Sequence, residues 1–209
     1  MPRVSKVQAE ANREAITEAS ARLFREHGIK AVSVADLMGA AGLTHGGFYG
    51  HFESKEVLAG VAGEHAFAQA TERWRKRVAG KASPAEARAA IVENYLRPQS
   101  IREVAAGCPT AALCVDVARE PAEAPIRAAY VAGLADMVDI LAAAEDTGDA
   151  AADRRAALAD YATMLGAMLM ARATAGRPIA DEVVAAARER LLAPRASVTP
   201  ARSRRAHRA

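Results

Sequence analysis

The sequence predicts an all-α protein of about nine helices, with a small N-terminal three-helix head on a larger helical body. Three observations carry that expectation. Apolar residues recur at helical spacing in segment after segment. No run of β-branched residues alternates with period two, as strands would. Serine, proline and glycine stand where helices would begin and end. The composition agrees: 51% of the 209 residues are hydrophobic but only 4% are aromatic, and alanine is abundant, which suits closely packed helices.

Taken in order, residues 1 to about 8 read as an arm carrying Arg3 and Lys6, either a basic arm that enters a minor groove or an ordinary solvated terminus. A first helix follows, with Ile16, Ala19, Ser20, Leu23 and Phe24 on one face, and ends at Gly28. Ser33 caps a second, whose apolar face is Val34, Leu37, Met38 and Ala41. Gly42 stands where the chain leaves that helix, a position favouring a left-handed backbone. A third helix opens at Thr44 and puts Phe48 and Phe52 four apart on its buried side. Ser54 caps a long connecting helix that passes Phe67 and Trp74 and ends near Val78.

The body then follows. Ser83-Pro84-Ala85-Glu86 has the form of a capping box with proline at the first helical position, opening a helix to about Leu96 that ends near Pro98. Pro109 starts a short helix to about Arg119. Ile126, Tyr130, Leu134, Met137 and Leu141 form the stripe of another, up to a loop around Thr147 and Gly148. Two more are expected, from about Ala150 to Ala173 and from about Ala180 to Ala193. The tail after Pro194 has no apolar periodicity and reads as disordered. The domain plan is therefore a head over 1–55, a body over 56–194 and a basic tail over 195–209.

Net charge is +3, but its distribution matters more. The last fifteen residues hold Arg195, Arg202, Arg204, Arg205 and Arg208 and no acid, which leaves 23 basic against 25 acidic residues, a net −2, in positions 1–194. Affinity for DNA must then come from a local patch. The two cysteines fit a reducing compartment. The most apolar stretch, Met164 to Ala173, is too short to span a membrane, and no signal peptide opens the chain, so a cytoplasmic location is expected.

The segment Ser33 to Leu58, SVADLMGAAGLTHGGFYGHFESKEVL, has helix-turn-helix punctuation. Its second helix is chemically odd. Gly46, Gly47 and Gly50 each cost about 1 kcal/mol against alanine in a helix interior, so a loop or frayed end is one reading. The other is a backbone that comes close to an external surface such as a major groove, with Phe48 and Phe52 anchoring one face and Thr44, His45, Tyr49 and His51 crowding the other.

The string AGLTHGGFYGHFESKEVL, with its Ser33 to Met38 lead-in, resembles the DNA-binding signature of the TetR/AcrR family of bacterial repressors over roughly positions 10 to 60; beyond that the likeness lies in helix plan and a few local strings. The resemblance implies that Thr44, His45 and Gly46 face base edges, and that Tyr49, His51 and Lys55 contact phosphates, with Ser33 donating to another at the front of its own helix. His45, the long side chain among the base-facing three, is able to donate to guanine O6 or N7. His51 beside Phe52 also reads as a packed core histidine. Gly50 departs from the bulkier residue frequent there in the family, so one groove or phosphate contact is in doubt.

A lone three-helix head reads few base pairs, and a two-fold dimer places two reading helices in successive grooves. The last two long helices, rich in alanine, methionine and leucine with Gly166 allowing close approach, are the candidate interface; the alternative is monomer core. The resemblance implies the same homodimer, and a body pocket whose small-molecule effector spreads the heads. Candidate lining residues are Trp74, Tyr95, Tyr130, Met137, Met164 and Met168, a set poor in charge that points to an apolar or electrophilic effector.

Cys108 lies in Gly107-Cys108-Pro109-Thr110-Ala111-Ala112-Leu113, at the N-cap of a proline-started helix whose free N–H groups and dipole favour a thiolate. The string resembles a segment of TetR/AcrR regulators that sense electrophiles or oxidants; the other reading is a small residue filling a tight corner. Cys114 reads as inert core. An enzyme is the poorer alternative, because Asp160, Glu182, His65 and Cys108 show no catalytic spacing. No metal or cofactor is expected, since His27, His45, His51, His65 and His207 are scattered and no Cys-x-x-Cys occurs. A non-specific DNA-coating protein driven by the arginine-rich tail is the remaining rival.

Overall fold

The computed structural model describes residues 6–145 and 147–193. The predicted tail over 195–209 and residues 1–5 of the predicted arm lie outside the described residues. Among the described residues there is no strand; nine α-helices and one 3₁₀ helix follow one another. They are α1 (Lys6–His27), α2 (Val34–Ala40), the 3₁₀ helix (His45–Gly50), α3 (Lys55–Val78), α4 (Pro84–Tyr95), α5 (Pro98–Arg102), α6 (Pro109–Ala118), α7 (Pro125–Ala142), α8 (Ala150–Ala173) and α9 (Pro178–Leu192).

Local chemistry sets most of these boundaries. Ser33 Oγ accepts from the Asp36 N–H at 3.2 Å while the Asp36 carboxylate accepts from the Ser33 N–H at 2.9 Å, a complete capping box. The Ser33 hydroxyl and then the Ser33 N–H, both donating to Asp36 Oδ2, hold the Asp36 carboxyl below its usual range. Gly42 has φ +71, the left-handed conformation its place after α2 calls for. Ser54 Oγ accepts from the Val57 N–H at 3.2 Å to start α3. At α4, Ser83 Oγ caps the Glu86 N–H, but Glu86 returns to the Ala82 N–H rather than to that of Ser83.

Three expectations need correction. The chain is helical from Lys6 onward, so Lys6 to Gln8 belong to α1 and not to an arm. The helix opened at Pro84 ends at Tyr95, as expected, but Pro98 also opens a short α5 that was not anticipated, because a proline's missing N–H and fixed φ fit the first helical position. The reading segment is a 3₁₀ helix, and its N-cap Thr44 makes no side-chain capping bond.

Two apolar cores fill the molecule. The head core gathers Ile16, Phe24, Leu37, Met38, Phe48, Phe52 and Leu58, and is closed from the body side by Leu113, Val117 and Ile126. The body core gathers Phe67, Trp74, Ile91, Tyr95, Met137, Leu141, Tyr161, Met164, Met168 and Leu191. Three helices serve both, among them α7, with Ile126 in the head core and Met137 and Leu141 in the body core. The first half of α3 (Leu58 to Ala66) faces the head core and its second half the body core. Cys108 and Ala111 of the α6 segment face the body, Leu113 and Val117 the head.

The body also buries charge. Arg88 on α4 donates from Nε to Asp160 Oδ2 at 2.7 Å and lies 3.3 Å from Glu145 Oε1, joining α4, α8 and the end of the α7 segment. Outside, α8 exposes Leu158, Leu169 and Met170, and α9 exposes Ile179. Among the described residues no helix is long and apolar enough to cross a membrane, and no group of three or more His, Cys, Asp or Glu is placed to hold a metal ion.

Candidate nucleic-acid interface and body cavity

The reading segment is built on two phenylalanines. Phe48 is fully buried, Phe52 nearly so, and their ring centroids lie 6.1 Å apart. Arg13 of α1 closes this seat from the outside: its guanidinium carbon stands 4.0 Å over the Phe52 ring, and it also donates to the His51 carbonyl. At the front, the Leu43 N–H bonds the Met38 carbonyl at 2.9 Å and fixes the turn after α2. Anchored this way, the segment presents Thr44, His45, Gly46 and Tyr49 to solvent, Tyr49 with 71% of its surface exposed. His51 and Lys55 are half-buried at its far end. Ser33 is exposed, and its hydroxyl donates to Asp36 Oδ2 at 2.6 Å.

The glycines have no internal reason to be there. A methyl group at Gly46 or Gly50 would meet nothing within 4 Å, and one at Gly47 only the tip of Met38 at 3.6 Å, an ordinary contact. None of the three has a positive φ. Packing and backbone conformation would thus accept alanine at all three, so the cost of glycine is unexplained within the fold.

The head is tied to the body at the turn after α1. Asp116 Oδ2, near the end of α6, accepts from the Ile29 N–H at 2.9 Å. Gly28 has φ +85, and a Cβ there would stand 2.9 Å from the same oxygen, so only glycine lets the carboxylate approach. Lys30 and Glu120 add an ion pair at 3.4 Å. The N-terminal end of the same helix is Cys108, so one element of ten residues, about 15 Å long, runs from the head junction to the interior of the body.

That interior holds a cavity of about 180 Å³. Five of the sequence-predicted effector residues line it: Trp74, Tyr95, Cys108, Met137 and Met168. The other two do not. Tyr130 packs edge-on to Phe67 and donates to the Thr110 carbonyl, and Met164 is fully buried elsewhere in the core. Trp74, Tyr95 and Tyr161 form an edge-to-face triangle with centroids 5.6 to 6.2 Å apart. Cys108 is buried, with Sγ 3.4 Å from Tyr161 Oη, which donates to Thr110 Oγ1 at 2.9 Å. Burial is the main cause that pushes the Tyr95 and Tyr161 hydroxyls well above their ordinary values.

The lining is not poor in charge, as the sequence led us to expect. Arg73, Arg77, Arg97 and Glu103 all reach it, along with Asn94. Arg73 and Arg77 stand four apart on α3 astride Trp74, and that spacing was the available signal; without the fold it is indistinguishable from a solvated helix face.

The family model described as "Bacterial regulatory proteins, tetR family" matches residues 16–61. The HTH-type transcriptional regulator AcrR of Shigella flexneri is 36% identical over 58 residues, 28% of this chain and 27% of that protein, so the match spans about a quarter of that relative's length. Whole-chain similarity is found among solved structures. A TetR transcriptional regulator from Chloroflexus aurantiacus superposes with a TM-score of 0.73 at 26% identity, covering 89% of this chain and 94% of that one. Reduced NemR of E. coli gives 0.71 at 21% identity, covering 84% and 94%. The head thus carries the signature of the bacterial tetR family of regulatory proteins, and the chain shares its fold with solved TetR-family transcriptional regulators.

Proposed function

We propose that the protein is a cytoplasmic, non-enzymatic, homodimeric transcriptional repressor, bound to a palindromic operator and released from it by a small-molecule or electrophilic effector acting in the body. The observation that carries the DNA-binding part is the glycine-rich reading segment. Three glycines that the fold does not need sit on a rigid phenylalanine seat, on the face that also presents Thr44, His45 and Tyr49. Close approach to a duplex is what such a surface allows. In this reading Thr44, His45 and Gly46 meet base edges, and Tyr49, His51 and Lys55 meet phosphates. Ser33 contributes only where a phosphate displaces Asp36 from its hydroxyl. The exposed Leu158, Leu169 and Met170 of α8 and Ile179 of α9 support pairing through these helices, and Gly166 beside them leaves room for a partner backbone.

The test is fluorescence anisotropy on DNA from the chain's own upstream region at several salt concentrations. His45→Ala should lower discrimination between operator and unrelated DNA. Lys55→Ala should weaken both about equally and flatten the salt slope by about 1. Equal loss of discrimination in the two variants refutes the division of roles; tight binding with steep salt loss and no discrimination refutes the operator and favours non-specific coating.

An electrophile is one reading of the effector because the cavity holds a thiol, and one structural relative, NemR, is described in a reduced form. Electrophile treatment that releases DNA from the wild type but not from Cys108→Ser supports it; equal release from both assigns Cys108 to packing.

A further inference from the structure

The cavity combines three features that a mere packing defect does not. First, its polar groups are left without partners. Arg77 Nε, Asn94 Oδ1 and Tyr95 Oη are buried without a conventional hydrogen-bond partner, Tyr95 Oη having only the weakly bonding Cys108 thiol near it, and the Tyr95 residue is only 4% exposed. Buried polar atoms are normally satisfied, so three around one space mark a place where something else supplies the partners. Second, the charges do not cancel. Arg73, Arg77 and Arg97 face Glu103 alone. Third, the way in is basic. An open groove contiguous with the cavity shares Arg73, Arg77, Asn94 and Arg97 with it and adds Lys76 and Lys81 against a single acid, Glu93. Five cations line this mouth in a chain whose first 194 residues carry a net −2.

We propose that the cavity binds a small organic anion, its carboxylate held by Arg77 with Arg73 and Arg97, and its apolar part against Trp74, Met137 and Met168. The free Nε–H of Arg77 and a neighbouring Nη–H form the planar fork that takes a carboxylate in two parallel bonds. Tyr95 donates its O–H to the same group. The Asn94 amide turns to offer either oxygen or NH₂ to a second polar atom of the ligand. Arg73 already donates to the Ala106 carbonyl at 3.2 Å and Arg97 to Ser100 Oγ at 2.9 Å, so these two are held in place with donors to spare. The basic groove steers anions inward. The space is smaller than the roughly 300–1,000 Å³ of drug-sized sites, which selects a compact ligand of one ring or a short chain.

As the identity of the effector, this deepens and rests on the regulator reading, but its binding can be measured without DNA. Trp74 is the sole tryptophan of the chain and lines the cavity, so its emission reports occupancy. The full chain is titrated with benzoate and hexanoate, with benzamide as the neutral isostere of benzoate and with inorganic phosphate as a charge-only control, all at fixed ionic strength. The expected result is a saturable change with at least one carboxylate. Benzamide and phosphate should bind at least about tenfold more weakly than benzoate. Arg77→Gln should lose at least about tenfold in carboxylate affinity with an unchanged unfolding midpoint. Lys76→Gln, at the mouth, should lose far less. No saturable change with either carboxylate, equal binding of benzamide and benzoate, or wild-type affinity in Arg77→Gln overturns the proposal. Failure here with operator binding intact removes the anion and leaves the regulator; carboxylate binding with no operator binding does the reverse.

Discussion

The body gathers arginines in two places, Arg88 buried in the core and Arg73, half-buried Arg77 and Arg97 around the cavity, and treats them differently. Arg88 is enclosed with two carboxylates, Asp160 and Glu145, within 3.3 Å. Around the cavity, Arg73, Arg77 and Arg97 have one acid between them, and Arg77 Nε has no partner at all. Removing charge from water costs several kcal/mol per ion unless a partner compensates. The first site supplies its partners from the chain and is part of the architecture. The second leaves them out, which is the mark of a place reserved for something the chain does not contain.

Four substitutions break or sharpen that contrast. Arg88→Met takes the cation away from two buried carboxylates and should cost about 3–5 kcal/mol in urea unfolding; a loss below about 1 kcal/mol would place the pair among ordinary surface bridges. Asp116→Asn weakens a charge-assisted bond to the Ile29 N–H, and about 1.5–3 kcal/mol should go. That variant tests a third kind of charge, half-buried and satisfied by backbone across the head–body junction. Ser33→Ala, which removes a cap on the exposed side of the head, should cost about 1 kcal/mol. Arg77→Gln should move stability by no more than about 0.5 kcal/mol, because no protein partner is lost. A large destabilisation in that last variant would make the cavity arginine structural and erase the distinction.

How far the sequence could be read follows the range of the interactions involved. Helix starts were legible wherever one residue type did the work: Ser33, Ser54, Ser83 and Pro109 stand where expected, since a cap or an N-terminal proline acts within three residues of itself. Pro98 marked the end of α4 correctly but hid α5, because the same ring that follows one helix begins the next. The reading segment was legible as a surface but not as a 3₁₀ helix, since six residues are too few to distinguish a period of 3.0 from 3.6. Trp74, Tyr95 and Cys108 were found as cavity residues, while Arg73, Arg77 and Arg97 were not. Which face of α3 looks inward is set by its packing against α1, α4 and α7, and no local pattern encodes it. The Asp116 to Ile29 bond, across 87 positions, is hidden for the same reason.

The α6 helix, with Cys108 at its cap against the cavity and Asp116 against the head turn, has a consequence for how signals must flow. A single short rod shared by two cores cannot shift at one end for the benefit of one alone. If occupancy of the cavity lowers operator affinity by some factor, an operator-bound protein must hold its ligand more weakly by the same factor. DNA is then an effector of the cavity as much as the reverse, and ligand affinity measured on free protein overstates the sensitivity of the protein on its operator.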